Sequence, residues 1–259
     1  MTTSTSTRLT PDALVVDTVW SPEQLARLQT EVARLAGPSG YYHQYTIKDR
    51  AGQTLQTPGP HPCQRVLSLL DRVGFPKGLT GKTVLDIGCN AGFYSCAAKL
   101  RGASSVLGVD YFQHCIDQAT FIREILQLDI DFRQGDGEAL GGVGPFDVVI
   151  NTGVIYHLQN PMHFLSNVAR LTREFMFLES EMLTNPKCAE HAWFIEHEYG
   201  GDGSNWWIYG PECVVKMARS VGFARAEFQG FVWTPQQPHE KKTPEGFPRQ
   251  GRGVVLCWK

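Results

Sequence analysis

The spacing of apolar positions changes character along the chain. From Ser21 to Ala36 (SPEQLARLQTEVARLA) Leu and Val recur at helical spacing, with Ser21 as N-cap and Pro22 at the first helical position. Gly37-Pro38 ends that helix. Tyr41–Ile47 is aromatic and favours strand, a Gly/Pro-rich stretch runs from Gly52 to Pro62, and a second helix is predicted over Gln64–Val73. Residues 1–80 are therefore expected to form a helical cap, with the Thr/Ser-rich first dozen residues disordered.

From Lys82 onward, short apolar runs alternate with helical segments. Strands are predicted at Thr83–Ile87, Ser105–Val109, Ile130–Arg133, Phe146–Asn151 and Phe175–Leu178. Helices are predicted over Gly92–Leu100, Phe112–Leu126 and Met162–Leu171. Such βαβ alternation implies an α/β fold, a doubly wound Rossmann-like sheet of about seven strands, with its core over residues 81–182. The alternation breaks over residues 183–210, a stretch rich in aromatics, His and Glu that has no clean period. It is long for a connection and is expected to be a lid or substrate-binding insertion. Pro211–Ser220 returns to helix, and strands at Ala224–Trp233 and Gly253–Trp258, joined by a polar loop, complete the core over residues 211–259.

Composition adds exclusions. The 24 Lys and Arg against 26 Asp and Glu give a net charge of −2, whereas a chain that grips a phosphate backbone carries a basic surplus. The seven cysteines are odd in number and contain no C-x-x-C, which argues against a disulfide framework or a zinc knuckle and for reduced thiols in the cytoplasm. No signal peptide or membrane-length apolar run is present in the sequence, so no membrane partner is expected. Oligomeric state is not legible.

The densest chemical signal is Val84-Leu85-Asp86-Ile87-Gly88-Cys89-Asn90-Ala91-Gly92-Phe93, an apolar strand entering a Gly-rich turn that opens a helix. Gly88 and Gly92 permit positive φ and close backbone approach, and free N–H groups at the helix start are expected to face an anionic group. Asn90 and Phe93 stand where a dinucleotide fingerprint needs glycine. Asp86 would repel a pyrophosphate and suits an amino group. Asp110 ends the second strand, about 20 residues beyond the glycines, where an acid binds ribose hydroxyls. Asp136, in Gly135-Asp136-Gly137-Glu138, can accept from an adenine amino group. Asn151 ends the fourth strand toward the same crevice.

These segments, in this order, resemble the class I S-adenosylmethionine-dependent methyltransferases over roughly residues 80–182. The resemblance implies S-adenosylmethionine as cofactor, with Asp86, Gly88, Asn90 and Gly92 around its methionine end, Asp110 and Tyr111 at the ribose, Asp136 and Gly137 flanking adenine, and Asn151 nearby. Gly153-Val154-Ile155-Tyr156-His157, with Asn160-Pro161 and Asn205-Trp206-Trp207, is similar to the branch containing the tRNA wobble-uridine carboxymethyltransferases and related small-molecule methyltransferases.

Methyl transfer needs an oriented nucleophile, removal of a proton and exclusion of water, and it needs no metal. Tyr156, His157 and Glu181 are the candidate catalytic residues; His157 is either a general base or a packed imidazole. Glu181 could hold an amine and Arg252 a substrate carboxylate, unless each is a solvated strand end. Glu179, Tyr42, His197, Trp206 and Trp207 complete the candidate substrate residues, the aromatic faces and carboxylates together suiting a cation. Glu196, His197 and Glu198 are metal-ligand types, but adjacent residues rarely face one way. No Asn/Asp-Pro-Pro-Tyr/Phe motif follows the fourth strand, which argues against a nucleobase amino group as acceptor. The leading expectation is O- or N-methylation of a small metabolite. The alternatives are cyclisation of the cofactor itself with release of methylthioadenosine, tRNA wobble-uridine modification, and a non-catalytic cofactor-binding protein.

Overall fold

A computed structural model describes residues 7–196, 202–233 and 250–259. His197, Glu198, Tyr199, the first six residues and most of the expected polar loop lie outside the described residues. Internal contacts divide the chain into two units, one made of Met1–Arg72 and Pro76–Asp136, the other of Val73–Phe75 and Gly137–Lys259.

The first unit contains β1 (Arg8–Leu9), β2 (Leu14–Val15), α1 (Pro22–Ala36), β3 (His43–Gln44), β4 (Thr46–Lys48), β5 (Thr54–Gln56), β6 (His61–Pro62), α2 (Cys63–Arg72), β7 (Thr83–Ile87), α3 (Phe93–Leu100), β8 (Ser105–Asp110), α4 (Gln113–Leu126) and β9 (Asp131–Gln134). α1 starts as predicted. Ser21 Oγ accepts from the Gln24 N–H and the Ser21 N–H donates to Gln24 Oε1, satisfying two donors that a helix start leaves unpaired. The cap, however, is not purely helical: β1, β2, β4 and β5 form a small sheet in that order, and β3 pairs with β6. Strands of two or three residues are too short to show alternation, so periodicity missed them. Order also begins earlier than expected, since β1 pairs with β2 and the buried Thr7 hydroxyl donates to the Leu126 carbonyl. β7, β8 and β9 are parallel neighbours, and the buried Val, Leu and Ile side chains of β7 and β8 form this unit's sheet core. The cap closes on this sheet through the fully buried Tyr45, whose hydroxyl donates to Ala91 O.

The second unit contains β10 (Phe146–Thr152), a 3-10 turn (Ile155–His157), α5 (Pro161–Leu171), β11 (Thr172–Leu183), β12 (Ala192–Phe194), β13 (Trp207–Tyr209), α6 (Pro211–Ser220), β14 (Arg225–Trp233) and β15 (Gln250–Trp258). β10 and β11 run parallel; β15 lies antiparallel to β11 and pairs on its other side with β14. β11 is longer than the predicted Phe175–Leu178. Its polar Glu179-Ser180-Glu181 stays in the strand because β15 pairs with it along its length, and all three residues are buried. The described part of the insertion contains a short ribbon: β12 pairs with β13, and β13 joins β11 at Met182–Tyr209. Gly210 anchors its return, because a Cβ there would stand 2.1 Å from Cys188 O. Among the described residues no helix is long and apolar enough to cross a membrane.

Candidate functional site

The first unit carries a tightly folded loop between β7 and α3. Gly88, Asn90 and Gly92 have φ of 72°, 48° and 80°, so the backbone passes repeatedly through the left-handed region. Folding this sharply lets the loop satisfy its own donors. Gly88 and Cys89 N–H donate to Val109 O, Asn90 N–H to Asp110 Oδ2, Ala91 N–H to Asn90 Oδ1 and Gly92 N–H to Cys89 O. The N–H groups of residues 88–92 are thus engaged within the loop or by the end of β8, ahead of the helix start at Phe93. They hold the shape of the cradle. Gly92 is required by packing, since a Cβ would come within 2.6 Å of the Phe132 ring.

Asp86 lies beneath this loop, fully buried. Its Oδ2 accepts from Ser95 Oγ at 2.6 Å, while Oδ1 is enclosed and meets no hydrogen-bond donor among the described residues. Burial pushes the carboxyl up to about 7 against the opposing pull of the Ser95 hydroxyl. An acid so placed fits a cationic amino group. Asp110 is 8% exposed and ties two segments, with Oδ2 accepting from Asn90 N–H at 2.8 Å and Oδ1 from Phe112 N–H at 3.0 Å. Each oxygen keeps a lone pair for a hydroxyl donor. Tyr111 is 66% exposed, Asp136 stands exposed on the loop after β9, and Tyr42 packs beside His43 and His61 with half its surface open.

The second unit gathers Tyr156, Glu179, Glu181 and Arg252. Arg252 grips Glu179 with two nitrogens: Nε donates to Oε1, and Nη2 to Oε2 at 2.5 Å. Its Nη1 donates to the Tyr156 hydroxyl at 2.8 Å and stands 3.8 Å from Glu181 Oε2. Burial raises the Glu179 carboxyl, and the Arg252 charge partly offsets this. Two expectations change here. Glu181 is buried rather than a solvated strand end, and Arg252 is committed to Glu179 rather than standing open to a substrate carboxylate. Gly153 precedes this group with φ of 71°, and a Cβ on it would lie 2.9 Å from Arg252 Nη2.

His157 follows Tyr156, their rings 4.2 Å apart. Its Nδ1 is 2.9 Å from Ser204 Oγ, and Ser204 Oγ is 2.6 Å from Asp202 Oδ1. The Asp202 carboxyl is held below its usual range by hydrogen bonds from Ser204 that outweigh its partial burial, so it is an acceptor. Ser204 has one proton and gives it to Asp202. His157 Nδ1 must then be the protonated nitrogen that donates to Ser204, which leaves the lone pair on Nε2. Burial also lowers the His157 pKa, keeping the ring neutral near pH 7.

Trp206 N–H donates to Tyr156 O at 2.8 Å, which fixes the aromatic ribbon to the Tyr156-His157 turn. Phe194 stacks on Trp206 and meets Trp207 edge-on, so these residues pack on one another rather than forming a separate cage. Asn151 is fully buried, and neither polar atom of its side chain finds a partner among the described residues. Gly137 opens a 3-10 turn. Ser95, Thr152, Asp202 and Ser204 were not singled out from sequence. Serine nine residues beyond an acid, or an Asp-x-Ser 45 residues beyond a His, carries no local signature.

Residues 79–198 match the family model described as a methyltransferase domain. A tRNA U34 carboxymethyltransferase from Mannheimia succiniciproducens is 24% identical over 205 residues, covering 70% of this chain and 63% of the relative. A ubiquinone biosynthesis O-methyltransferase from Maricaulis maris is 39% identical over 95 residues, 36% of this chain and 37% of the relative. The matched stretch thus spans under two thirds of either relative. The N-terminal domain of EvdMO1, crystallised in the presence of SAH and D-fucose, superposes with a TM-score of 0.61 at 17% identity, covering 90% of this chain and 96% of that one. At that identity the likeness is one of fold.

Proposed function

We propose that this chain, whose residues 79–198 match a methyltransferase domain model, is a class I S-adenosylmethionine-dependent methyltransferase that uses S-adenosylmethionine as its cofactor and methylates a hydroxyl oxygen of a small metabolite, with His157 as general base. The observation that carries this reading is the His157–Ser204–Asp202 chain, which leaves Nε2 as the basic nitrogen of a neutral imidazole. A hydroxyl is a poor nucleophile until its proton is removed, and a positioned base contributes about 10²- to 10⁴-fold. A relative named as an O-methyltransferase and a fold neighbour crystallised with a sugar support an oxygen acceptor on a small molecule.

The cofactor supplies a methyl carbon activated by a sulfonium. In this reading Asp86 takes its amino group, Asp110 and Tyr111 lie at the ribose, Asp136 and Gly137 at adenine, and Gly88, Asn90 and Gly92 give the loop its shape, with Asn151 as a further polar contact. Asp86 Oδ1, enclosed and without a hydrogen-bond partner among the described residues, fits an ammonium donor. His157 removes the acceptor proton through Nε2 and delocalises the resulting charge toward Asp202. Tyr156, oriented by Arg252, and the ribbon bearing Trp206 and Trp207 border the acceptor.

The test is product analysis with S-adenosylmethionine and a panel of hydroxylated small molecules. S-adenosylhomocysteine and an O-methyl product are expected, with His157→Ala slowed about 10²- to 10⁴-fold and cofactor affinity unchanged. Wild-type turnover in His157→Ala overturns the base assignment. Methylthioadenosine formed without an acceptor would instead establish cyclisation, and methyl incorporation into tRNA a nucleic-acid substrate.

A further inference from the structure

The cap reaches the loop between β7 and α3 at a carbonyl that the helix itself leaves unpaired. Ala91 precedes Gly92, the N-cap of α3, so its C=O lies outside the helical ladder, which begins with Cys96 N–H donating to Gly92 O. Ala91 is fully buried, and a buried carbonyl without a donor is costly. The donor comes from the cap: the Tyr45 hydroxyl donates to Ala91 O at 2.8 Å. Tyr45 is itself fully buried, and burial raises its phenol well above the ordinary range, so the hydroxyl stays protonated and keeps donating.

Tyr45 is in turn held in place. Its backbone N–H donates to Thr57 Oγ1 at 2.8 Å, Thr57 N–H donates back to Tyr45 O at 3.1 Å, and the Thr57 hydroxyl donates to His43 O at 3.1 Å. The His43 ring meets that of Phe93, the first residue of α3, with centroids 4.8 Å apart, and the Tyr45 ring stands edge-on to the same Phe93 at 6.2 Å. The cap thus grips the loop at Ala91 and the helix start at Phe93. From the other side, Asn90 N–H is taken by Asp110 Oδ2 and Ala91 N–H by Asn90 Oδ1. Asn90 has φ of 48°, a left-handed conformation that a residue with a side chain keeps only when its surroundings impose it. Ala91 is therefore pinned twice: Asn90 takes its N–H, and Tyr45 gives to its C=O.

Resting on the reading that this loop holds the amino-acid end of S-adenosylmethionine, we propose that Tyr45 is a positioning residue for cofactor recognition. Its hydroxyl fixes the Ala91-Gly92 peptide, and through it the turn that Gly88, Asn90 and Gly92 build above Asp86. The cap is then part of the cofactor site.

Two probes separate positioning from packing. S-adenosylhomocysteine carries the amino-acid group, and methylthioadenosine has the same adenosine and thioether without it. Dissociation constants for both are measured by calorimetry on the full chain, well below its unfolding temperature. Tyr45→Phe keeps the ring and removes the hydroxyl. It is expected to weaken S-adenosylhomocysteine about tenfold and methylthioadenosine no more than about threefold. Thr57→Val, which loosens Tyr45 without removing its hydroxyl, should shift the ratio in the same direction by a smaller factor. Ser21→Ala, which removes the N-cap of α1 in the same cap, should lower thermal stability and leave both constants at their wild-type values. Equal weakening of both probes in Tyr45→Phe, or unchanged S-adenosylhomocysteine binding in that variant, overturns the proposal. So does a shift of the ratio in Ser21→Ala that matches Tyr45→Phe. If Tyr45→Phe does not fold, an unshifted ratio in folded Thr57→Val overturns it. The two readings fail separately. A wild-type protein that holds S-adenosylhomocysteine no more tightly than methylthioadenosine removes the loop as the amino-acid site, whereas a wild-type preference that survives intact in Tyr45→Phe removes only the role of Tyr45.

Discussion

At the residue scale the proposed base is His157, a neutral imidazole whose proton is assigned to Nδ1 from its contact with Ser204. Burial lowers the His157 pKa, and the Asp202 charge is the largest influence raising it. A general base works in its unprotonated form, so turnover rises as pH increases through the His157 pKa. Asp202→Asn removes the raising influence, and the acidic limb of the kcat/KM profile should move to lower pH. The same change frees the Ser204 proton to turn toward His157, weakening the tautomer preference, so kcat should fall about tenfold or more while KM changes little. A pH profile recorded against wild type checks both. An unmoved limb would leave Asp202 as a loop-stabilising residue only. Sequence could nominate His157, because a Tyr-His pair after a strand end is a local pattern. It could not nominate Asp202 or Ser204, which reach His157 only through the return of the ribbon.

At the scale of elements, the strand–loop–helix from β7 into α3 was fully legible, because its glycines, its apolar run and its acid are contiguous. Legibility failed where partners from elsewhere in the chain decide the structure. Glu179-Ser180-Glu181 reads as a polar end to a strand, yet pairing with β15 and burial against Arg252 keep it inside β11. The strands of the cap were too short to carry a period, and the ribbon of β12 and β13 is patterned by aromatic stacking rather than alternation. The turn leaving β10 shows how such an element is sensitive to one methyl group. Gly153 has φ of 71°, its N–H donates to Glu179 O at 2.9 Å, and an added Cβ would press on Arg252 Nη2 and the Tyr156 hydroxyl. Gly153→Ala should therefore cost about 1–3 kcal/mol in urea unfolding, from left-handed strain and the displaced guanidinium. Its turnover should fall with that displacement. An alanine variant with wild-type stability and rate would show that the turn relaxes freely.

At the scale of the whole molecule, charge and kinship point in different directions. One relative is named as a tRNA enzyme, but this chain aligns with only 63% of it and carries 24 basic against 26 acidic residues. Many of those basic groups are already neutralised by a neighbour. Arg34 pairs with Glu31, Arg133 with Asp131, Lys216 with Glu190 and Arg225 with Glu227. A protein contacting six to ten phosphates releases that many counterions, and its affinity falls about 10³- to 10⁵-fold between 50 and 200 mM salt. Pre-paired cations release few, because each must first give up a carboxylate. Binding to unmodified tRNA, followed by fluorescence anisotropy from 50 to 200 mM salt, should accordingly be weaker than micromolar at physiological ionic strength and shallow in its salt slope. A steep slope with submicromolar affinity would require a basic surface assembled from residues dispersed in sequence, and would move the acceptor from a small metabolite to a nucleic acid. The proposed cofactor loop is indifferent to that outcome, since the reading gives Asp86 and Asp110 to the cofactor and not to the acceptor.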